Sequence, residues 1–361
     1  MKSRSGSRAA SASVPSRSDR GRRSVWASLL DRPLWNDFWF TPSPAHTLAM
    51  MRILGGAMLF YTHAVWTLDL PSFLGPDAWI STELSREMNQ ANAPGAWSLF
   101  WYVDSPGLLW AIHIAALVIF AMLAAGLFTR TVSILAWLLT LSYCHRLQGA
   151  LYGLDQVNAL LATYLMIGPS GAVWSIDSLR AARREPELAG NLQARTSVGA
   201  TIAVRLVQVH MCVIYFFGGI SKLKGTDWWD GSALWMALSN YEYQSLDLTW
   251  LIRFPAFIAL LTHVTVIWET FYCVLVWPRA SRWIMLSMAL LVHGGIAVAM
   301  GMPTFGLAMI IGNLAFVPAP VMRGVVEYVV RRSKEMRFGK SAAGSSLPAA
   351  ASKLARCGTP G

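Results

Sequence analysis

Lys222 stands in the run YFFGGISKLKGTDWWDG, residues 215–231, at the end of an apolar segment and just behind a Gly218-Gly219 pair. A lysine held against apolar surface loses solvation of its charged form, and a partly neutral amine is a competent general base or nucleophile. The same position suits an amine that snorkels, its stem buried and its ammonium among lipid headgroups. Both roles are open at the level of the residue. Other polar side chains fall inside long apolar stretches: Arg205, Gln208 and His210, then His263 and Glu269, then His293, with Asp155, Asn158, His63 and His113 nearer the N-terminus. Ionisable groups at membrane depth are costly, which makes each a functional candidate. Arg205 and Gln208 share a helix face at i, i+3, and Glu269 is a candidate to neutralise Arg205, as a buried structural pair or a reactive one. Each histidine has a hydrogen-bonded packing role as its simplest reading. There is no HExxH or related spacing, and Cys144, Cys212, Cys273 and Cys357 form neither a CxxC nor a disulfide framework, so no metal is expected.

The elements that position these residues follow from composition. Of 361 residues, 55% are hydrophobic and only 14% charged, with a mean hydropathy of +0.43. A soluble domain carries about 25% charged residues to cover its surface. The chain therefore reads as an all-α, polytopic membrane helix bundle. Crossing a hydrocarbon core takes roughly 20 mostly apolar residues. Eight segments qualify, near 46–68, 107–128, 131–147, 150–168, 198–220, 251–277, 283–300 and 303–317, and the third, fourth and eighth are the shortest or most polar. The implied organisation is a basic tail and aromatic interfacial segment over 1–45, a transmembrane domain over 46–318 and a basic tail over 319–361. Trp26, Trp35, Phe38, Trp39 and Phe40 suit an interfacial helix, since such rings settle at the headgroups.

The tails before about residue 24 and after about 340 are too polar to order themselves. The first 23 residues have no apolar core and so no cleavable signal, although their Ser/Arg content overlaps that of organellar transit peptides. The net charge of +11 sits mostly in tails and short loops, where anionic lipid explains it better than nucleic acid, for which there is no motif. With eight crossings, 23 of the 30 Lys and Arg fall on the side of both termini and four on the other; Arg52, Arg205 and Arg253 lie within the spans. That asymmetry places both termini in the cytoplasm. The segment 71–106, rich in aromatic residues, is expected to cap the bundle on the Lys222 side.

The 215–231 run resembles the lysine motif of the vitamin K-dependent γ-carboxylase-like membrane proteins, the HTTM domain. That pattern reads roughly Y-F-x-x-G-x-x-K-L followed by D-W-x-x-G, matched by Tyr215-Phe216, Gly219, Lys222-Leu223, Asp227-Trp228 and Gly231. Three further stretches are similar: RILGGAMLFYTH at 52–63 with LPSFLGPD at 70–77, WSID at 174–177, and HGGIAVAMGMPTFGLAM at 293–309. They span the transmembrane body in order. The resemblance implies an enzyme in which Lys222 deprotonates a reduced vitamin K or menaquinol-type quinol. Oxygen then turns that quinol into a base strong enough to remove a glutamate γ-proton, so that CO₂ adds. It also implies a bacterial plasma-membrane location with the lysine on the non-cytoplasmic side.

For that chemistry to persist, Lys222 needs a desolvated pocket shared with His293 and the sixth segment, with no carboxylate in contact. Asp227 and Asp230 are expected to turn away and cap a short helix near Trp228-Trp229. Asp155, Arg205, His263, Glu269 and Trp228 are the supporting candidates. The sequence also departs from the family. Ser221 stands where the carboxylases have a first lysine, Asp155 stands roughly where they have a histidine, and their large soluble domain has no counterpart in these residues. Two further readings remain: a non-catalytic membrane factor that matures or holds a partner peptide, and a small-solute transporter, which lacks the expected inverted repeat.

Overall fold

The computed structural model describes residues 32–186 and 196–344. The expected disorder before residue 24 falls outside them, as do residues 345–361 of the C-terminal tail. The chain divides into a short unit ending at Thr41 and a large one from Pro42. The short unit's described part is α1 (Arg32–Phe40), where Trp39 packs against Trp35 and Phe38 and where Leu34, Trp35 and Phe40 are exposed.

In the large unit, β1 (Ser43–Pro44) leads into α2 (His46–Trp66). Next come α3 (Leu70–Leu74), α4 (Thr82–Asn92), α5 (Pro106–Ala125), α6 (Thr129–Arg146), α7 (Gly153–Ile167) and α8 (Ile176–Arg184). The strand β2 (Thr196–Ser197) pairs antiparallel with β1 and joins the starts of α2 and α9 (Val198–Lys222). After the short α10 (Thr226–Trp229) and α11 (Ala233–Ser239) come α12 (Pro255–Leu275), α13 (Arg279–Ala299), α14 (Pro303–Asn313) and α15 (Ala319–Gly344). Proline in the first turn opens α5, α12 and α14, where its fixed φ fits and its missing N–H costs nothing.

The core has two large apolar clusters that share α2 and α7, and a small third one of Ala45, Ala49, Val173 and Ala200. One large cluster joins α2 and α7 to α5 and α6 around Phe100, Phe120 and Tyr143; the other joins them to α9, α12, α13 and α14 around Met211, Tyr215, Trp268 and Tyr272. The outer faces of the long helices are apolar too, with Val118, Val274, Ile284, Leu291 and Val298 exposed, as lipid contact requires.

Among the described residues, length and apolarity qualify five helices to cross a membrane, beginning at His46, Pro106, Val198, Pro255 and Arg279. A sixth results if the pair Pro303–Phe316 and Ala319–Glu335, bent by 120°, is one broken span. The eight expected spans are thus not all matched. The reasons are local: α7 has 15 residues, about 22 Å of helix, α14 has 11, and α6 carries Thr, Ser, His and Arg along its length. The C-terminal helix also runs past the expected order boundary near 340, to Gly344, through a stretch rich in strong helix formers.

The segment 71–106 is packed onto the end of α6, on the Lys222 side of the bundle. Phe100 is buried, Ser98 Oγ donates to Ser142 O at 2.7 Å, and Asn89 Nδ2 donates to His145 O at 2.7 Å. The end of α9 itself is covered by the loop that carries α10 and α11.

Candidate functional site

Two glycines create the site. At Gly219, an added Cβ would lie 2.7 Å from the backbone nitrogen of Thr270 and 2.9 Å from its Cα, so only glycine allows α9 and α12 to approach this closely. One residue earlier, Gly218 leaves room for two side chains, since its added Cβ would stand 3.3 Å from Glu269 Oε2 and 3.9 Å from Lys222 Nζ. In that space Lys222 Nζ donates to Glu269 Oε2 at 2.6 Å. The lysine side chain is 25% exposed and the glutamate 11%. Trp228 lies under the ammonium, 5.3 Å from Nζ to the ring centroid.

Two turns deeper on the same α9 face is Tyr215, buried against Tyr272 and Trp268 of α12. Asn313 of α14 donates from Nδ2 to the Tyr215 oxygen at 2.7 Å and accepts from the Tyr272 hydroxyl at Oδ1. The Tyr215 proton is then left to point at His293 Nε2, 2.7 Å away. This direction places the imidazole N–H on Nδ1, which is buried and has no partner among the described residues. The chain Tyr272, Asn313, Tyr215, His293 is thus a polar relay with one open end. It shares α9 and α12 with the Lys222–Glu269 pair, but no hydrogen bond links the two sets among the described residues.

The expected site is corrected in three respects. Lys222 does contact a carboxylate, contrary to the requirement set for a free base; that carboxylate comes from the neighbouring helix. Asp227 and Asp230 form no hydrogen bond with Lys222 among the described residues, but neither caps the short helix as expected: Asp230 Oδ1 accepts from Ser232 N at 2.8 Å, and α10 begins at Thr226 with no side-chain cap and Asp227 in its first turn. Donors from Ser232 stabilise the Asp230 carboxylate and hold its pKa below the usual range. The Arg205–Glu269 pair does not form. The helices α9 and α12 are antiparallel, so Glu269 meets Lys222 while Arg205 lies near the other end, donating to Gln208 Oε1 at 2.9 Å and stacking on Trp277.

The remaining candidates take structural parts. His263 Nε2 donates to Trp229 O at 3.1 Å and ties the α10 loop to α12. Asp155 accepts from Tyr152 N–H at 3.1 Å at the start of α7 and faces a separate small cavity with His63 and Asn158. His113 bridges Thr67 and Tyr143, and His63 donates from Nδ1 to Leu59 O. Tyr272 and Asn313 were not among the candidates. Asn313, a lone amide in an apolar run, was the visible clue.

Two stretches of the resemblance, 52–63 and 174–177, meet at the opposite end of the bundle. Arg52 is fully buried and donates only to carbonyls: Ser170, Leu123, Ala124 and Trp174, all at 2.6–3.0 Å. Asp177 accepts from Phe128 N, Thr129 N and Thr129 Oγ1 at 2.7–2.9 Å, which caps α6. Partial burial opposes ionisation of Asp177, but these donors outweigh it and lower the pKa. In comparisons with protein-family models, curated proteins and solved structures, no match to this chain was found.

Proposed function

We propose that the chain is an eight-span integral protein of a bacterial plasma membrane, both termini cytoplasmic and α1 lying in the interface, that takes a proton from a lipid-soluble quinol of the vitamin K or menaquinol type. The observation that carries this reading is the Lys222–Glu269 pair, set beside a buried Tyr/His/Asn relay and covered by the rings of Trp228 and the exposed Trp229. Those residues fit such a ligand: the rings offer an apolar approach, and the pair and His293 offer partners for a phenolic oxygen. When bound, the quinol supplies an acidic O–H and a redox-active ring.

An ammonium that donates to Glu269 has no free lone pair. Moving that proton from Nζ to Oε2 breaks one N–H bond and forms one O–H bond, leaving a neutral amine and a neutral acid. In a poorly solvated site the neutral pair avoids the desolvation cost of two charges. Lys222 then accepts a proton, and Trp228 shields one side of the amine. His293, through Tyr215, offers a second protonatable nitrogen near the same end of the bundle. This reading keeps Lys222 and His293 as the catalytic candidates and replaces the free amine with a paired one.

The experiment extracts the lipids that co-purify with the full chain. A quinone retained by the wild type and lost in both Lys222→Ala and Lys222→Arg supports the reading, because a guanidinium holds its charge and cannot pass its proton to Glu269. Equal retention by Lys222→Arg, or no quinone with the wild type, overturns it. The second reading, a non-catalytic membrane factor that handles a partner peptide, then stands, favoured by the closed Lys222–Glu269 pair.

A further inference from the structure

We infer that the cavity between the starts of α2 and α15, remote from Lys222, binds the phosphate of a bilayer phospholipid headgroup. The cavity measures about 320 Å³ and is bounded by Pro44 and His46 on one side and by Pro320, Arg323, Gly324 and Glu327 on the other. His46 is 2% exposed, its ring stands edge-on to Trp174, and neither ring nitrogen has a hydrogen-bond partner among the described residues. A neutral imidazole carries one N–H in either tautomer, and a buried donor left unmade is costly. The residue lines a cavity that can supply the acceptor.

Three features define what that acceptor is. His46 opens α2, a 21-residue helix with no side-chain cap, so its first-turn N–H groups and its dipole favour an anion. Thr47 Oγ1 donates to Val317 O at 3.0 Å and fastens the start of α15 beside that helix end. Arg323 then brings a guanidinium to the facing wall, and Gly324 leaves open space next to it. Arg323 now donates to Glu327 at 2.7 Å, but with side chains 47% and 58% exposed this is a weak surface pair. A phosphate offers the guanidinium a doubly bonded partner in its place.

The surroundings identify the phosphate as a lipid's. The α15 axis turns by 120° from the preceding helix, so it does not continue a crossing. It exposes Val321, Val325, Tyr328 and Val329 at i, i+4, i+7 and i+8, while the cavity residues occupy its other face. A helix that offers such a stripe to hydrocarbon lies in the interface. Its cavity face is then at headgroup depth.

The test titrates phosphatidylglycerol, and separately inorganic phosphate, into the detergent-solubilised full chain and reads bound ligand by native mass spectrometry. Arg323→Ala and His46→Phe, the latter keeping a ring against Trp174, are expected to weaken lipid binding about tenfold. Glu327→Gln, which frees Arg323, is expected to tighten it. Equal lipid binding by wild type, Arg323→Ala and Glu327→Gln overturns the site, whatever His46→Phe does. Variant-dependent binding of inorganic phosphate without that of lipid overturns the lipid assignment.

Discussion

At the scale of single residues, the pair Lys222–Glu269 separates stability from chemistry. Removing one member of a poorly solvated ion pair strands the other, at a cost of about 3 kcal/mol where burial is substantial. Lys222→Met should therefore lower the thermal unfolding midpoint in detergent, and adding Glu269→Leu should recover part of the loss. A double variant as unstable as the sum of the single ones would show that the two groups are not coupled. Lys222→Arg keeps the pair and should keep the midpoint, so its loss of quinone would not reflect unfolding. Lys222 was legible in the sequence as a lysine behind two glycines at a span end, where a snorkelling anchor and a base were both open. Its partner was not. Pairing Glu269 with Arg205 treated both as charges at similar depth, and only the antiparallel register of α9 and α12 decides which cation is level with the glutamate.

At the scale of elements, close approach and capping decide the geometry, and both are half visible in sequence. The Gly218-Gly219 pair was plain, but that it sets the contact with Thr270 needed the neighbouring helix. Gly219→Ala should push α9 from α12, costing about 1–3 kcal/mol as overpacking does, and should disrupt the Lys222–Glu269 contact. Cysteine cross-linking between α9 and α12 would report the separation; unchanged cross-linking and stability would refute the close-contact argument. At the other end, WSID was legible as a motif while its role as the cap of α6 was not, since Thr129 is 48 residues away from Asp177. Asp177→Asn should cost about 0.5–1 kcal/mol, toward the low end of capping effects because the carboxyl reaches solvent. The folded-state pKa of Asp177 is depressed, so its contribution is present above the unfolded carboxylate pKa and is lost as pH falls through the lower folded value. Acid titrations of unfolding should show the Asn variant losing less stability than wild type across that range. Parallel curves would remove the cap from the account.

At the scale of the whole molecule, the sequence revealed a helical membrane bundle because too few charges exist to cover a soluble surface. The number of crossings was harder to read, for a physical reason. The helices α6, α7 and α14 are too short or too polar to face lipid alone, yet they lie among other helices: Leu161 and Leu165 of α7 and Met309 and Ile311 of α14 are in the core. A helix screened by protein need not satisfy the length and apolarity that lipid demands. By contrast, α13 meets both demands with little of its surface buried, and its outer face was recognisable at once. If each of the three short helices completes a crossing, the ends alternate. The α4 segment then lies across the membrane from α15, with basic residues concentrated on the α15 side. Reporter fusions after Arg331 and within 82–92 should then report opposite compartments, cytoplasmic for the first. The same compartment for both would mean that an odd number of the three short helices turns back within the membrane. Lys222 would still end the same apolar helix, but the count that puts both termini on one side would be lost, and with it the charge asymmetry that orients the protein.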